Sequence, residues 1–222
     1  ERITIASGIL NIYSRTPTLL AMTAAGIDAL SEGRCMLGLG ASGPQVIEGF
    51  HGVPYDAPMT RIREIVDICR EVWRRDEKLD YQGKKYQIPL SADQGTGLGI
   101  PLKIINHPYR SDIPIALATL GEKSVEMTAE IAEAWLPAFF MAEGADAVWG
   151  DALRRGNAKR DPALPPLEVY AGGSVAIGEG LESYRDMSRP GIALYVGGMG
   201  AKEKNFYNQI FRKYGYEEEA EL

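Results

Sequence analysis

RITIASGILNIYSRTPTLLAMTAAGIDALSEGRCMLGLG, residues 2–40, reads as a strand, a helix and a second strand in immediate succession. Arg2 to Leu10 are mostly β-branched, small or apolar, the composition of a strand buried on both faces. Thr16 followed by Pro17 is a helix start: a hydroxyl at the N-cap, and a proline where the backbone N–H has no partner to lose. LLAMTAAGIDAL carries that helix, and Gly33 reads as its C-cap. CMLGLG, residues 35–40, is the second strand, rich in glycine at its exit.

The alternation continues along the chain. Ile62, Ile65, Val66, Cys69, Val72 and Trp73 recur at the spacing of one helical face, with Arg and Glu opposite. From about Leu79 to Asp112 the rhythm breaks, and YQGKKYQI predicts a hairpin with Gly83 and Lys84 in its turn. This stretch reads as an insertion at about 79–112 in a single α/β domain, because strand and helix resume at once. IPIALAT (113–119) and SVEMTAEIAEA (124–134) form the next pair. AWLPAFF (134–140) is a strand, with a helix expected from about Glu143 to Arg155. LEVYAGGSVAIG (167–178) is the fifth strand. Two helices are expected after it, Leu181 to Tyr195, broken at Pro190 and Gly191, and Glu203 to Tyr214. Strands that alternate with helices make a parallel sheet with right-handed crossovers. An open doubly wound sheet and part of an eight-stranded barrel both fit. No GxGxxG joins the first strand to its helix, and GLGASG (38–43) follows the second strand with the wrong spacing, which weighs against a dinucleotide-binding domain.

Of 222 residues, 45% are hydrophobic and 24% charged, enough for one substantial core. The net charge of −6 gives no long-range attraction for nucleic acid or an anionic membrane. No stretch approaches the roughly 18 apolar residues of a membrane span. The chain starts at Glu1 with no methionine, so an upstream segment is expected. Cys35 and Cys69 are too few for a disulfide framework; both read as small core residues, and a reducing cytoplasm is the expected compartment. With two cysteines and two histidines, His51 and His107, and neither HExxH nor CxxC, no metal site is expected. Both histidines fall in loops; either could be a proton donor, but lone loop histidines are more often structural or solvated.

Five segments together resemble the luciferase-like superfamily of flavin and F420 enzymes: ASGILNIYSRTP (6–17), LSEGRCMLGLGASGPQVIEGFHG (30–52), IPIALATLG (113–121), AEAWLPAFF (132–140) and ALYVGGMGAKEKNFYNQIFRKYGY (193–216). The last is similar to the F420-using branch, near methylene-tetrahydromethanopterin reductases. The resemblance implies a (β/α)8 TIM barrel, here incomplete, from about its third strand to its seventh. It also implies a cofactor at the C-terminal ends of the strands. Gly8, Ile9, Leu10 and Asn11 match the family's third-strand bulge, where a cis peptide at Gly8–Ile9 is expected to support the back of the ring. Gly40, Ala41, Ser42, Gly43 and Gln45 form a small-residue turn that brings backbone close to a ligand, with Ser42 and Gln45 as polar contacts. Ala118, Thr119, Leu120 and Gly121 match the family's phosphate-holding turn, where the Thr119 hydroxyl and the backbone amides are the expected donors. Trp135 and Phe139 share strand parity and read as core.

The implied function is hydride transfer between the deazaflavin coenzyme F420 and a small organic substrate, in a protein expected to be a homo-oligomer, a dimer or higher, without nucleic-acid or membrane partners. An FMN-dependent monooxygenase of the same fold is the alternative. A non-catalytic flavin-binding protein or truncated oligomerisation module is the reading from another class. The family's acid or base usually comes from the first two strands, so no catalytic residue is named.

Overall fold

The computed structural model describes residues 2–173, 175–200 and 205–221. The chain divides into two compact units, one of residues 1–118 with 131–134, the other of residues 119–130 with 135–222.

In the first unit the opening strand is broken into β1 (Ile5–Ala6) and β2 (Leu10–Asn11). Helix α1 (Pro17–Leu30) follows, with the Thr16 hydroxyl accepting from the Leu19 amide. Its C-terminus differs from the expectation of a single glycine cap. Glu32 and Gly33 both take positive φ, 57° and 80°. The Gly33 N–H reaches the Asp28 carbonyl and the Glu32 N–H reaches Ala29, the paired bonds of a Schellman ending in which Glu32 is the first left-handed residue. Strand β3 (Cys35–Gly40) is buried throughout. The short helix α2 (Pro44–Gly49) precedes α3 (Pro58–Arg74), on which all six stripe residues read from the sequence are buried. The Trp73 indole donates to the Ala21 carbonyl at 2.9 Å, tying α3 to α1.

Within the 79–112 stretch, β4 (Tyr81–Gln82) and β5 (Gln87–Ile88) pair antiparallel around a turn closed by Gly83 N–H to Tyr86 C=O. The turn is held from α3: the buried Glu64 carboxylate accepts the amides of Lys84, Lys85 and Tyr86 at 2.7, 2.9 and 3.0 Å. Three backbone donors on one carboxylate form a strong charge-assisted anchor, so this turn is docked on α3 rather than loose. Farther on, Arg110 donates through Nε to the fully buried Asp28 at 3.1 Å and through Nη2 to the Cys35 carbonyl at 2.5 Å. Burial, with Asp28 adding to it, pushes the Cys35 thiol up to about 11, and burial raises Cys69 further. Both are inert core thiols, as the sequence reading held.

Strand β6 (Ile115–Ala118) pairs with β3, Leu37 to Gly40 lying in parallel register with Ile115 to Ala118. On its other side β3 pairs with β1 at Ile5–Cys35 and with β2 at Leu10–Leu39. Five steps along the first strand thus match four along β3, so the first strand carries one extra residue, a bulge over Ser7 to Ile9. Ser7 repairs the interrupted ladder: its Oγ accepts the Gly38 N–H and donates to the Gly38 carbonyl, both at 2.9 Å.

In the second unit α4 (Glu122–Ile131) is followed by β7 (Ala134–Trp135), which straddles the division between the units. A wide π turn, Asp146–Gly150, leads into α5 (Asp151–Asn157), later and longer at its end than the helix expected to Arg155. Strand β8 is only Glu168–Val169, with the Tyr170 amide donating to the Trp135 carbonyl. The strands expected over 134–140 and 167–178 are therefore shorter. Pro137 has no N–H for a ladder, and Phe139 turns the backbone with φ 52°. Ser174, inside the second of these runs, lies outside the described residues. Helix α6 (Glu182–Ala193) runs through Pro190 instead of breaking. The lost bond would have gone to the carbonyl of exposed Asp186, which water can satisfy on a helix with no buried residue. A π turn, Leu194–Gly198, ends it. Helix α7 (Phe206–Lys213) begins at an Asn205 cap; Glu203 and Lys204, read as its start, lie outside the described residues. Trp135 and Trp149 are the core of this unit, edge to face at 5.1 Å, and Phe139 packs on Tyr195, Tyr207 and Phe211.

Candidate functional site

Parallel barrels place their chemistry where the strands end and the loops begin. In the first unit that end is the row Asn11, Gly40, Ala118, the last register partners of β2, β3 and β6. The bulge brings Ile9 onto this row, and the peptide before it, Gly8–Ile9, is cis. The Ile9 Cδ1 occupies the space that a side chain on Gly40 would need, with the Ala118 methyl 3.4 Å from the same point. Ile9 thus lies over Gly40. Together they make an apolar shelf, while no residue other than its chain neighbours Ser7 and Ile9 stands within 4 Å of where a Gly8 side chain would be.

The turn that follows is shaped by Ser42, whose φ is 58°. Its carbonyl accepts from the Tyr55 hydroxyl at 3.2 Å. Burial raises both the Tyr55 and Tyr13 phenols, so they stay protonated donors. Tyr13 donates to the Asp56 carbonyl at 2.9 Å, and the two rings stack obliquely at 5.2 Å. Arg61 lies 5.4 Å from the Tyr13 ring and 2.7 Å from the Asp56 carboxylate. Lys85 and Arg61 bond to that carboxylate and lower its pKa. The loop behind the shelf is thus braced from α3 and from the β4–β5 turn. The Ser42 and Gln45 side chains are exposed and have no hydrogen-bond partner among the described residues. Both are open to a ligand.

Asn11 stands differently from the reading that made it a ligand contact. Its Oδ1 accepts the amides of Tyr13 and Ser14 at 3.0 and 2.8 Å, and its Nδ2 faces His51 Nε2 at 3.2 Å. The carboxamide is largely spent on protein. His51 lies in a loop, as the sequence reading has it, but its pairing with Asn11 is not legible there: the Asn-x-Tyr-Ser turn is visible in the chain, a partner 40 residues away is not.

In the second unit Thr119 is buried and its Oγ1 lies 2.7 Å from that of Thr128. Thr128 donates to the Ser124 carbonyl, so Thr119 must be the donor between the two hydroxyls. Its proton is not available to an anion. The Thr119 and Leu120 carbonyls are held by the Trp135 and Trp149 indoles, each at 2.9 Å. What this turn can offer is backbone amide: no acceptor takes the N–H of Leu120, Gly121 or Glu122 among the described residues, as at the open end of any helix.

The family model described as luciferase-like monooxygenase matches residues 1–221. The chain belongs to the luciferase-like monooxygenase family. Over 219 residues it is 41% identical to a Mycobacterium tuberculosis protein named "Putative coenzyme F420-dependent oxidoreductase", a match covering 97% of this chain and 62% of that one. The coenzyme F420 dependent tetrahydromethanopterin reductase of Methanopyrus kandleri superposes with a TM-score of 0.77 at 21% identity, over 98% of this chain and 61% of that one. The oxygenating component of 3,6-diketocamphane monooxygenase from Pseudomonas putida, solved with FMN, gives 0.58 at 16% identity, over 98% and 59%. This luciferase-like chain therefore spans about three fifths of the length of these relatives, and its fold is the family's TIM-barrel type, present in part. Among the described residues no helix is long and apolar enough to cross a membrane, and no group of three or more His, Cys, Asp or Glu is placed to hold a metal ion.

Proposed function

We propose that this luciferase-like chain is the greater part of an oxidoreductase that uses coenzyme F420 on a small organic substrate. The observation that carries the reading is the shelf at Ile9, Gly40 and Ala118: apolar, uncrowded at Gly8 beyond its chain neighbours, and followed in the chain by the exposed, unpaired Ser42 and Gln45. Such a surface fits a planar ring system with polar edges. Likeness to the M. tuberculosis protein, 41% identical, favours the deazaflavin over FMN. When bound, the coenzyme supplies a two-electron hydride carrier. The chain's part is to hold one face of the ring, exclude water from it and offer polar contacts at its rim. In the second unit, the amides of Leu120 and Gly121 are proposed to receive an anionic group. A cytoplasmic homo-oligomer remains the expected setting.

The test is a pair of titrations followed by quenching of coenzyme fluorescence, one with F420 and one with FMN. The expected outcome is saturable binding of F420 at micromolar concentration or tighter, with FMN at least tenfold weaker. Equal or preferential binding of FMN would replace this reading with the flavin monooxygenase one, and binding of neither would leave a non-catalytic member of the fold.

A further inference from the structure

Two backbone amides, those of Tyr13 and Ser14, point at one end of the Asn11 carboxamide, at 3.0 and 2.8 Å. Both are donors, so that end is oxygen. The other end is then the NH2 group, and it stands 3.2 Å from His51 Nε2. An amide nitrogen accepts no hydrogen bond, so Nε2 must be the acceptor and the ring proton of neutral His51 sits on Nδ1. The histidine backbone is fixed as well, its N–H bonded to the Val46 carbonyl of α2. The ring is exposed, edge-on to the exposed Phe50 at 5.2 Å. No group among the described residues takes its Nδ1–H. Asn11 is the last residue of β2 and the register partner of Gly40, so this donor stands at the strand ends beside the shelf.

We infer that Asn11 is a positioning residue that fixes the tautomer of His51, and that His51 Nδ1–H is a hydrogen-bond donor for an oxygen on the reacting carbon of the substrate. The substrate class is then a ketone or aldehyde, or the corresponding alcohol in the reverse direction. This rests on the hydride-transfer reading above. A hydride arriving at the carbonyl carbon forms the C–H bond and moves the π pair onto oxygen; the carbonyl is reduced and the coenzyme oxidised. His51 stabilises the alkoxide so formed. The alkoxide takes its proton from solvent, and His51 keeps its Nδ1–H as a fixed donor throughout.

With only two histidines in the chain, ring nitrogen spectra of the ¹⁵N-labelled, coenzyme-free protein resolve the tautomer directly. Neutral His51 should show Nδ1 protonated. Asn11→Asp keeps an oxygen for Tyr13 and Ser14 but puts a second one against Nε2, and should move the proton to Nε2. In turnover, His51→Ala should lose roughly a hundredfold in kcat, the scale of one lost oxyanion donor, with KM changed little and F420 affinity unchanged. His51→Asn, whose amide nitrogen sits where Nδ1 was, should recover part of that loss, and His51→Gln should not. An Nε2–H tautomer in the unsubstituted protein, or kcat within threefold in His51→Ala, overturns the inference. Failure of F420 binding in the unsubstituted protein would strike the underlying reading instead and remove the proposed role, while the tautomer assignment is judged on its own spectrum.

Discussion

Arg110→Met is expected to lower stability by about 3–5 kcal/mol, the cost of removing one partner from a buried ion pair and leaving the other charge behind. Asp28 is fully buried, and its Oδ2 has no hydrogen-bond partner. Its remaining support would be the Cys35 amide at 3.3 Å. For a chain of this length the thermal midpoint should fall by roughly 10 °C. The Asp28→Asn, Arg110→Met pair should recover part of the loss, because the stranded charge is gone. A midpoint within 2 °C of the unsubstituted protein for Arg110→Met would show that the pair does not hold the 79–112 stretch to α1 and β3.

Gly38→Ala and Gly40→Ala, two positions apart on β3, should behave in opposite ways. A methyl on Gly38 would overlap the Ser7 carbonyl, which is backbone and has nowhere to move without opening the bulge. Overpacking of that kind costs about 3 kcal/mol, and the fold should be visibly weakened. A methyl on Gly40 would touch the Ala118 methyl at an ordinary 3.4 Å and overlap only the tip of the Ile9 side chain, which can swing away. Its thermal midpoint should change little, while F420 affinity drops at least tenfold because the shelf changes shape. Thermal melts beside F420 titrations separate the two. Equal destabilisation with no change in affinity would mean that Gly40 serves packing alone.

These contrasts show which parts of the molecule the sequence exposes. The α3 stripe and the Thr16–Pro17 start are legible because one period or one cap fixes them locally. The bulge at Ser7 to Ile9 was reached through family resemblance; its physical reason, five steps against four, needs the register of β3. The turn at Gly40 to Gly43 was legible as small residues near backbone, but not the Ile9 side chain that lies over Gly40. Thr119 was read by its hydroxyl, and only the return of α4 shows Thr128 taking that proton. Asn11 was read as a ligand contact, and His51 as solvated, because a pair 40 residues apart leaves no local pattern. Pro190 was read as a break, a rule that holds for helices whose carbonyls cannot turn to water.

The central claim is two-electron chemistry on F420, and it is tested most directly by anaerobic turnover. The protein is mixed with reduced F420 and a panel of ketones and aldehydes, under argon and again in air, and return of the oxidised coenzyme's absorbance is followed. The account predicts reoxidation that depends on a carbonyl compound and runs at the same rate with and without oxygen, with alcohol formed in equal amount to coenzyme oxidised. Turnover that requires reduced FMN and molecular oxygen, with reduced F420 inert toward every carbonyl compound, would contradict it.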